Sequence, residues 1–317
     1  MNDDTMRLIN RRQLFQAGAA IGVGAAFSAL PTSARAGAAA PQESVPGTRL
    51  MDSPNDTNPL LTIERRGDIV LFGLNRPAQQ NRIDPAMSAE LSRAYFQFEH
   101  DDSLRAAVLF GHGDHFCLGI DVQAVAAAIG AGAAQAARSG TIDPWGKTRP
   151  RLSKPVVAAA HGNTWNVGHE LFLACEIRVA AADTRFAQTE NVHARMPASG
   201  ATIRFVREAG WAQAMRYLLT GDAWTAQQAQ RMGTVQELAP TAEAALQLAV
   251  AMATKIAACA PLSIKNTLAS AHLAIDEGEE QAFAQLPSQR AALYASVDFK
   301  EALQAEIEHR PPRYQGK

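Results

Sequence analysis

His161-Gly-Asn-Thr-Trp-Asn-Val-Gly-His-Glu170-Leu-Phe-Leu-Ala-Cys175 is a turn-rich run that becomes an apolar helical pattern. Just ahead of it, Lys154-Pro-Val-Val-Ala-Ala-Ala160 has the length and apolar continuity of a short buried strand. Gly162 to Gly168 then reads as a loop feeding a helix that begins near Val167. A helix start leaves its first N–H groups without intrahelical partners and carries partial positive charge, so an anionic oxygen is favoured there. The backbone N–H of Val167 is the donor this places, with Gly168 beside it.

Working back along the chain, Ala107-Val-Leu-Phe110 followed by Gly-His-Gly-Asp-His-Phe-Cys-Leu-Gly119-Ile-Asp121 repeats the plan of strand, glycine-containing loop and helix start. Its candidate donor is the N–H of Ile120. Taken singly, each segment also fits an ordinary strand-to-helix turn. Two such donors converging on one carbonyl oxygen would form an oxyanion hole, where losing one donor costs about 2.7–4 kcal/mol of transition-state stabilisation. Working forward, Arg185-Phe-Ala-Gln-Thr-Glu190 brings a second glutamate twenty positions after Glu170. Two carboxyl groups near one reacting carbon can divide proton donation and water activation between them if their environments separate their roles.

Five pieces, taken in order, resemble the crotonase superfamily, the enoyl-CoA hydratases and isomerases. They are Asn75-Arg-Pro77 with Asn81; Phe116-Cys-Leu-Gly-Ile-Asp121; Lys154-Pro155 through Glu170; Phe186-Ala-Gln-Thr-Glu190; and Leu219-Thr-Gly221 with Ala226, Ala229 and Gly233-Thr-Val235. The likeness runs from about Leu60 to the C-terminus. It implies an α/β fold, a crotonase-like spiral of β-β-α units with a C-terminal helical trimerisation region, and hence a homotrimer or hexamer. It implies that the N–H groups of Ile120 and Val167 bind a thioester oxygen. Glu170 and Glu190 would position water and move protons as it adds across an α,β double bond. Arg82, Ile83, Leu118, Gly119, Asp121, Trp145 and Gly168 would line the substrate, an acyl-CoA or related thioester, with no cofactor beyond the coenzyme A that the substrate carries. Many relatives with other activities lack one or both glutamates, so the pair favours hydration over an isomerase, hydrolase or lyase on the same fold, or a non-catalytic exported binding protein.

The departures from that pattern concern coenzyme A more than the acid–base pair. Asn166-Val167-Gly168 replaces a glycine run, but the donor is backbone and valine does not remove it. His193 replaces the common glycine after the second glutamate, and Met196 to Phe205 keeps only part of a glycine-rich run. Gln123 stands where a coenzyme-contacting lysine is frequent, and Glu306 where a phenylalanine near the adenine is frequent.

Composition agrees with a globular enzyme. The chain has 317 residues, 47% hydrophobic and 19% charged, with a net charge of −1, which supports a large core and gives no nucleic-acid footprint. His161, His169 and His193 lie near the glutamates in sequence, but no H-E-x-x-H or Cys/His spacing marks a metal site. They read as polar lining or core histidines, with His169 able to shift the Glu170 carboxyl if the two approach. Cys117, Cys175 and Cys259 read as buried free thiols rather than a disulfide framework.

The N-terminus has another logic. Arg11-Arg12-Gln-Leu-Phe15 precedes an apolar Ala/Gly stretch from Ala17 to Leu30, and Ala34-Arg35-Ala36 supplies a cleavage site, the layout of a twin-arginine export signal. That stretch is too short and glycine-rich for a stable membrane span. The expected organisation is a signal at 1–36, a linker at 37–58, a core at 59–240 and helices at 241–317. Periplasmic or exported localisation follows, or cytoplasmic if the segment is only a basic extension. Elsewhere, antiparallel strands are expected within Leu60 to Leu74. A helix is expected over Pro85 to His100 with Asp84 as its cap, and helices dominate from Trp211.

Overall fold

The computed structural model describes residues 59–130 and 139–317; the proposed export signal and linker lie outside the described residues. Strands β1 (Leu61–Arg66) and β2 (Ile69–Leu74) form an antiparallel hairpin with Leu61 opposite Leu74 and Arg66 opposite Ile69. Gly67, at φ +60°, makes the turn that a side chain would disfavour. Helix α1 (Pro85–His100) follows, with Pro85 in its first turn and the Asp84 carboxylate accepting from the Met87 N–H at 2.7 Å, as the cap residues predict.

Next come β3 (Ala106–Gly111), α2 (Val122–Gly130), β4 (Val156–Ala160), β5 (Asn163–Trp165), α3 (Val167–Leu173), β6 (Ile177–Ala181) and β7 (Arg185–Ala187). The chain then runs through α4 (Ala201–Ala209), α5 (Trp211–Thr220), β8 (Trp224–Thr225), α6 (Ala226–Arg231) and β9 (Glu237–Ala239). Helices α7 (Ala242–Ala257), α8 (Pro261–Glu277), α9 (Glu279–Ala295) and α10 (Val297–Ile307) complete it. The main sheet has the order β1-β2-β3-β4-β6-β9, parallel from β2 onward, and β5-β7-β8 form a smaller sheet.

Side chains alternate across the main sheet and build two cores. Val70, Phe72, Leu74, Ala107, Leu109 and Ala158 face the larger one with Leu91, Phe98, Phe116 and Phe172, while Ile69, Leu71, Val108, Val157 and Val179 face α7. Ala245, Ala249, Ala253 and Ala257 recur every four residues on α7, and these small side chains let the helix lie close on the strands. With both faces covered, every residue of β2 is buried instead of every second one. Among the described residues no single helix is long and apolar enough to cross a membrane.

Three local expectations are corrected. Gly162 to Gly168 is not all loop, because Asn163–Trp165 pairs in parallel with Arg185–Ala187 as β5; a tertiary partner supplies what three residues could not signal alone. No helix starts at Ile120, since α2 begins at Val122. Cys259 is exposed rather than buried, because it lies in the turn between α7 and α8, whereas Cys117 and Cys175 are buried free thiols.

Candidate active site

The site forms where the parallel strands β3 and β4 end and their loops turn toward each other. Cys117 and Thr164 form a parallel bridge, with the Trp165 N–H donating to the Cys117 carbonyl at 2.9 Å. Gly168 makes the approach possible: a Cβ there would lie 2.5 Å from the Cys117 carbonyl oxygen and 2.8 Å from its Sγ. The first turn of α3 therefore packs directly on the segment that carries Ile120.

The Ile120 N–H is oriented by pairing rather than by a helix start. Ile83 donates to the Gly119 carbonyl and accepts from the Asp121 N–H, both at 2.8 Å, so this parallel bridge uses the peptide groups on either side of Ile120. The intervening Ile120 N–H points away from Ile83, as alternation along an extended chain requires. Val167 is the first residue of α3, where an N–H has no intrahelical partner. Among the described residues, neither N–H donates to a protein acceptor.

Glu170 lies on α3 and is 2% exposed, and Glu190 follows β7 and is 8% exposed. Glu170 Oε1 accepts from the N–H groups of Ser199 at 2.7 Å and Ala201 at 3.0 Å. Burial raises its pKa above the ordinary value; those N–H groups and Lys147 oppose the rise. Burial pushes the Glu190 carboxyl up to about 7, and the negative charge of Glu170 adds to it against the opposing effect of its own N–H and Arg195. Oε2 of Glu190 is buried without a hydrogen-bond partner among the described residues. The charge of Glu170 thus acts on Glu190, and the two carboxyls are served unequally by hydrogen-bond donors.

The remaining predicted residues lie around the segments that carry Ile120 and Val167. Ile83 and Leu118 are buried beside the Ile120 bridge, and Gly119 takes φ +110°. Arg82 donates to the Leu118 carbonyl at 3.3 Å. Asp121 accepts from the Ala124 N–H at 3.2 Å and pairs with Arg76 at 3.2 Å, so its carboxylate is engaged in capping α2 and in an ion pair. Trp145 is buried, and its Nε1–H donates to the Val167 carbonyl at 3.1 Å, bracing the first residue of α3.

The nearby histidines do not form a reactive set. His169 is enclosed by Phe186, Phe205 and Trp224, with Nδ1 2.8 Å from Gln188 Nε2. Burial, aided by Arg178, pushes its pKa down to about 3, so it is neutral. It plays no part in the Glu170 shift, because adjacent helical residues point in different directions. His161 Nε2 lies 2.8 Å from the Gly113 carbonyl, and His193 is exposed. The Cys117 thiol is pushed up to about 12 by burial, which removes it as a nucleophile at neutral pH.

Sequence reasoning missed four contributors. Ser199 and Ala201 supply the donors to Glu170 through backbone, and the partial glycine run from Met196 was the only trace of that turn. Asn81, fully buried, donates through Nδ2 to the carbonyls of His112 and His115, both at 2.8 Å, and so fixes the loop leading to Ile120. Asn166 is the fourth, through its bonds to Thr189.

The Enoyl-CoA hydratase/isomerase family profile matches residues 64–317. Enoyl-CoA hydratase EchA19 of Mycobacterium tuberculosis is 30% identical over 264 residues, covering 83% of this chain and 98% of that protein. The (E)-benzylidenesuccinyl-CoA hydratase of Thauera aromatica is 33% identical over 258 residues, 81% of this chain and 99% of its own. A solved structure of a probable enoyl-CoA hydratase/isomerase from Mycobacterium abscessus superposes with a TM-score of 0.78 at 41% identity, covering 81% of this chain and 99% of that one. With its mixed sheet, its C-terminal helices and a match over residues 64–317, this chain belongs to the enoyl-CoA hydratase/isomerase family and has the α/β crotonase fold.

Proposed function

We propose that this enzyme is an enoyl-CoA hydratase that adds water across the α,β double bond of an enoyl thioester. The observation that carries the reading is the unequal pair of buried carboxyls beside two backbone N–H groups that lack protein acceptors. Addition of water to the β carbon places negative charge on the thioester oxygen as an enolate develops. Donors fixed at Ile120 and Val167 favour that state over the substrate. Glu170, met by two N–H donors, suits the ionised base that takes the proton of the attacking water. Glu190, raised to about 7 with an unpartnered oxygen, suits the protonated acid that delivers a proton to the α carbon. The chemistry so written calls for no cofactor beyond the coenzyme A of the substrate. Hydration of crotonyl-CoA and longer enoyl-CoA esters by the wild type, Glu170→Gln and Glu190→Gln tests it; undiminished turnover in either variant refutes the assignment of that residue.

Two further readings complete the proposal. The Arg11-Arg12 motif, the apolar stretch and the Ala34-Arg35-Ala36 site support export of the folded enzyme by the twin-arginine route. Fractionation of the wild type against an Arg11→Lys, Arg12→Lys double variant tests this, and identical distribution argues for a cytoplasmic enzyme. Exposed apolar side chains on the last helices, Phe283, Leu286, Tyr294, Leu303 and Ile307, support assembly as a homotrimer or hexamer. Sedimentation equilibrium measures the state directly.

A further inference from the structure

Asn166 has a backbone conformation that its side chain does not favour. It sits at φ +54°, ψ −128°, immediately before the first residue of α3, in a region that glycine enters freely and other residues enter at a cost. A residue kept in such a conformation invites the question of what its side chain does there.

The side chain ties together segments that are distant in sequence. Oδ1 accepts from the Thr189 N–H at 2.7 Å and from the Thr189 hydroxyl at 3.0 Å, and Thr189 directly precedes Glu190. The backbone of Asn166 makes the complementary links: its N–H donates to the Ala187 carbonyl at 2.8 Å, and its carbonyl accepts from the Glu170 N–H at 3.0 Å and Gln188 Nε2 at 3.3 Å. On its other side the amide packs against Gly119, where a Cβ would lie 3.1 Å from the Asn166 Cβ and 3.3 Å from Nδ2. One residue therefore touches the strand end before Glu190, the helix turn bearing Val167 and Glu170, and the segment before Ile120.

We propose that Asn166 is a positioning residue for the reaction, its Oδ1 clamping Thr189 so that the Glu190 carboxyl is held in register with Glu170 and the two backbone donors. A glycine here would satisfy the backbone but leave the Thr189 N–H and hydroxyl without this acceptor. The turn that carries Glu190 would then be free to shift and to admit water. Asn166 does not act on the substrate; it acts through the placement of Glu190. This inference rests on the acid–base reading of Glu170 and Glu190, so Glu190→Gln is measured beside it.

The experiment compares kcat, KM and the pH dependence of kcat/KM for crotonyl-CoA hydration in the wild type, Asn166→Gly, Asn166→Asp and Glu190→Gln. Asn166→Gly keeps KM within about three-fold and loses about ten-fold or more in kcat, the pattern of a lost interaction that serves the transition state. Its alkaline limb moves to lower pH as Glu190 gains water. Asn166→Asp keeps an acceptor for Thr189, so kcat at its optimum stays within about three-fold of the wild type. The added charge beside Glu190 moves the alkaline limb to higher pH. Wild-type kcat and an unmoved limb in Asn166→Gly overturn the proposal while Glu190→Gln is impaired. If Asn166→Gly does not fold, Asn166→Asp decides: an unmoved alkaline limb, or a loss as large as that of Glu190→Gln, overturns it. Full activity in Glu190→Gln instead overturns the underlying acid–base reading.

Discussion

Glu170 and Glu190 are both withdrawn from water, yet only Glu170 has backbone donors from another segment, the Ser199 and Ala201 N–H groups that converge on one of its oxygens. Burial alone would push both carboxyls the same way. The difference comes from hydrogen bonding to the charged form, which holds Glu170 back, and from the Glu170 charge itself, which pushes Glu190 further. The same side-chain chemistry thus meets two environments, one that supports the charged form and one that supports the protonated form.

The pH dependence of kcat/KM for hydration is therefore expected to be bell-shaped. Activity falls on the acid side as Glu170 protonates, at a pH above the ordinary carboxylate value, and on the alkaline side as Glu190 ionises near pH 7. Glu190→Gln lowers kcat by about 10²–10⁴-fold, the usual contribution of a general acid. It also abolishes the alkaline limb. A limb that persists unchanged in this variant assigns it to another group.

The same shift has a cost in stability. Between pH 4.5 and about 7 the folded chain retains a proton on Glu190 that the unfolded chain has released. The folded state then binds more protons, so stability declines as pH rises through that window. Glu190→Gln should raise the melting temperature at about pH 8 and leave it unchanged below about pH 4.5, where both states are protonated in the wild type. Calorimetry at the two pH values checks this, and a gain of equal size at both would point to packing instead of charge.

Gly168→Ala tests the close approach of the two donor segments. The new methyl would meet the carbonyl oxygen of Cys117 at 2.5 Å, and that oxygen is already held by the Trp165 N–H. Backbone must move, at a cost of about 1–3 kcal/mol for overpacking. The displacement falls on the neighbouring Val167 N–H, so kcat should drop more than the melting temperature suggests. Kinetics and calorimetry on one preparation compare the two.

The strand-and-loop layout around Ile120 and Val167 was legible in the sequence because strand and glycine signals are local, and the Asp84-Pro85 cap of α1 could be read for the same reason. The short strand β5 was not, since Asn163–Trp165 is extended only by virtue of Arg185–Ala187 beside it. The orientation of the Ile120 N–H was likewise attributed to a helix start, when a bridge to Ile83 sets it. The donors to Glu170 were hidden for a different reason. They are main-chain groups of Ser199 and Ala201, and side-chain identity says little about which peptide N–H is free. Asn81 and Asn166 stood in view, but their work is to hold carbonyls and N–H groups of remote segments, which only the folded chain brings within reach.

Oxyanion binding can be separated from proton transfer by spectroscopy. The N–H groups of Ile120 and Val167 act through the main chain, so replacing either glutamate side chain leaves them in place. A bound enoyl thioester should show its carbonyl stretch moved to lower wavenumber, because two donors withdraw density from the oxygen as they would in the enolate. Glu190→Gln should bind the same thioester with the same displaced band and turn it over slowly. Gly168→Ala should reduce the displacement while both glutamates remain. If the band in Glu190→Gln lies at its solution position, polarisation depends on the carboxyl, and the two N–H groups are not the source of the stabilisation assigned to them.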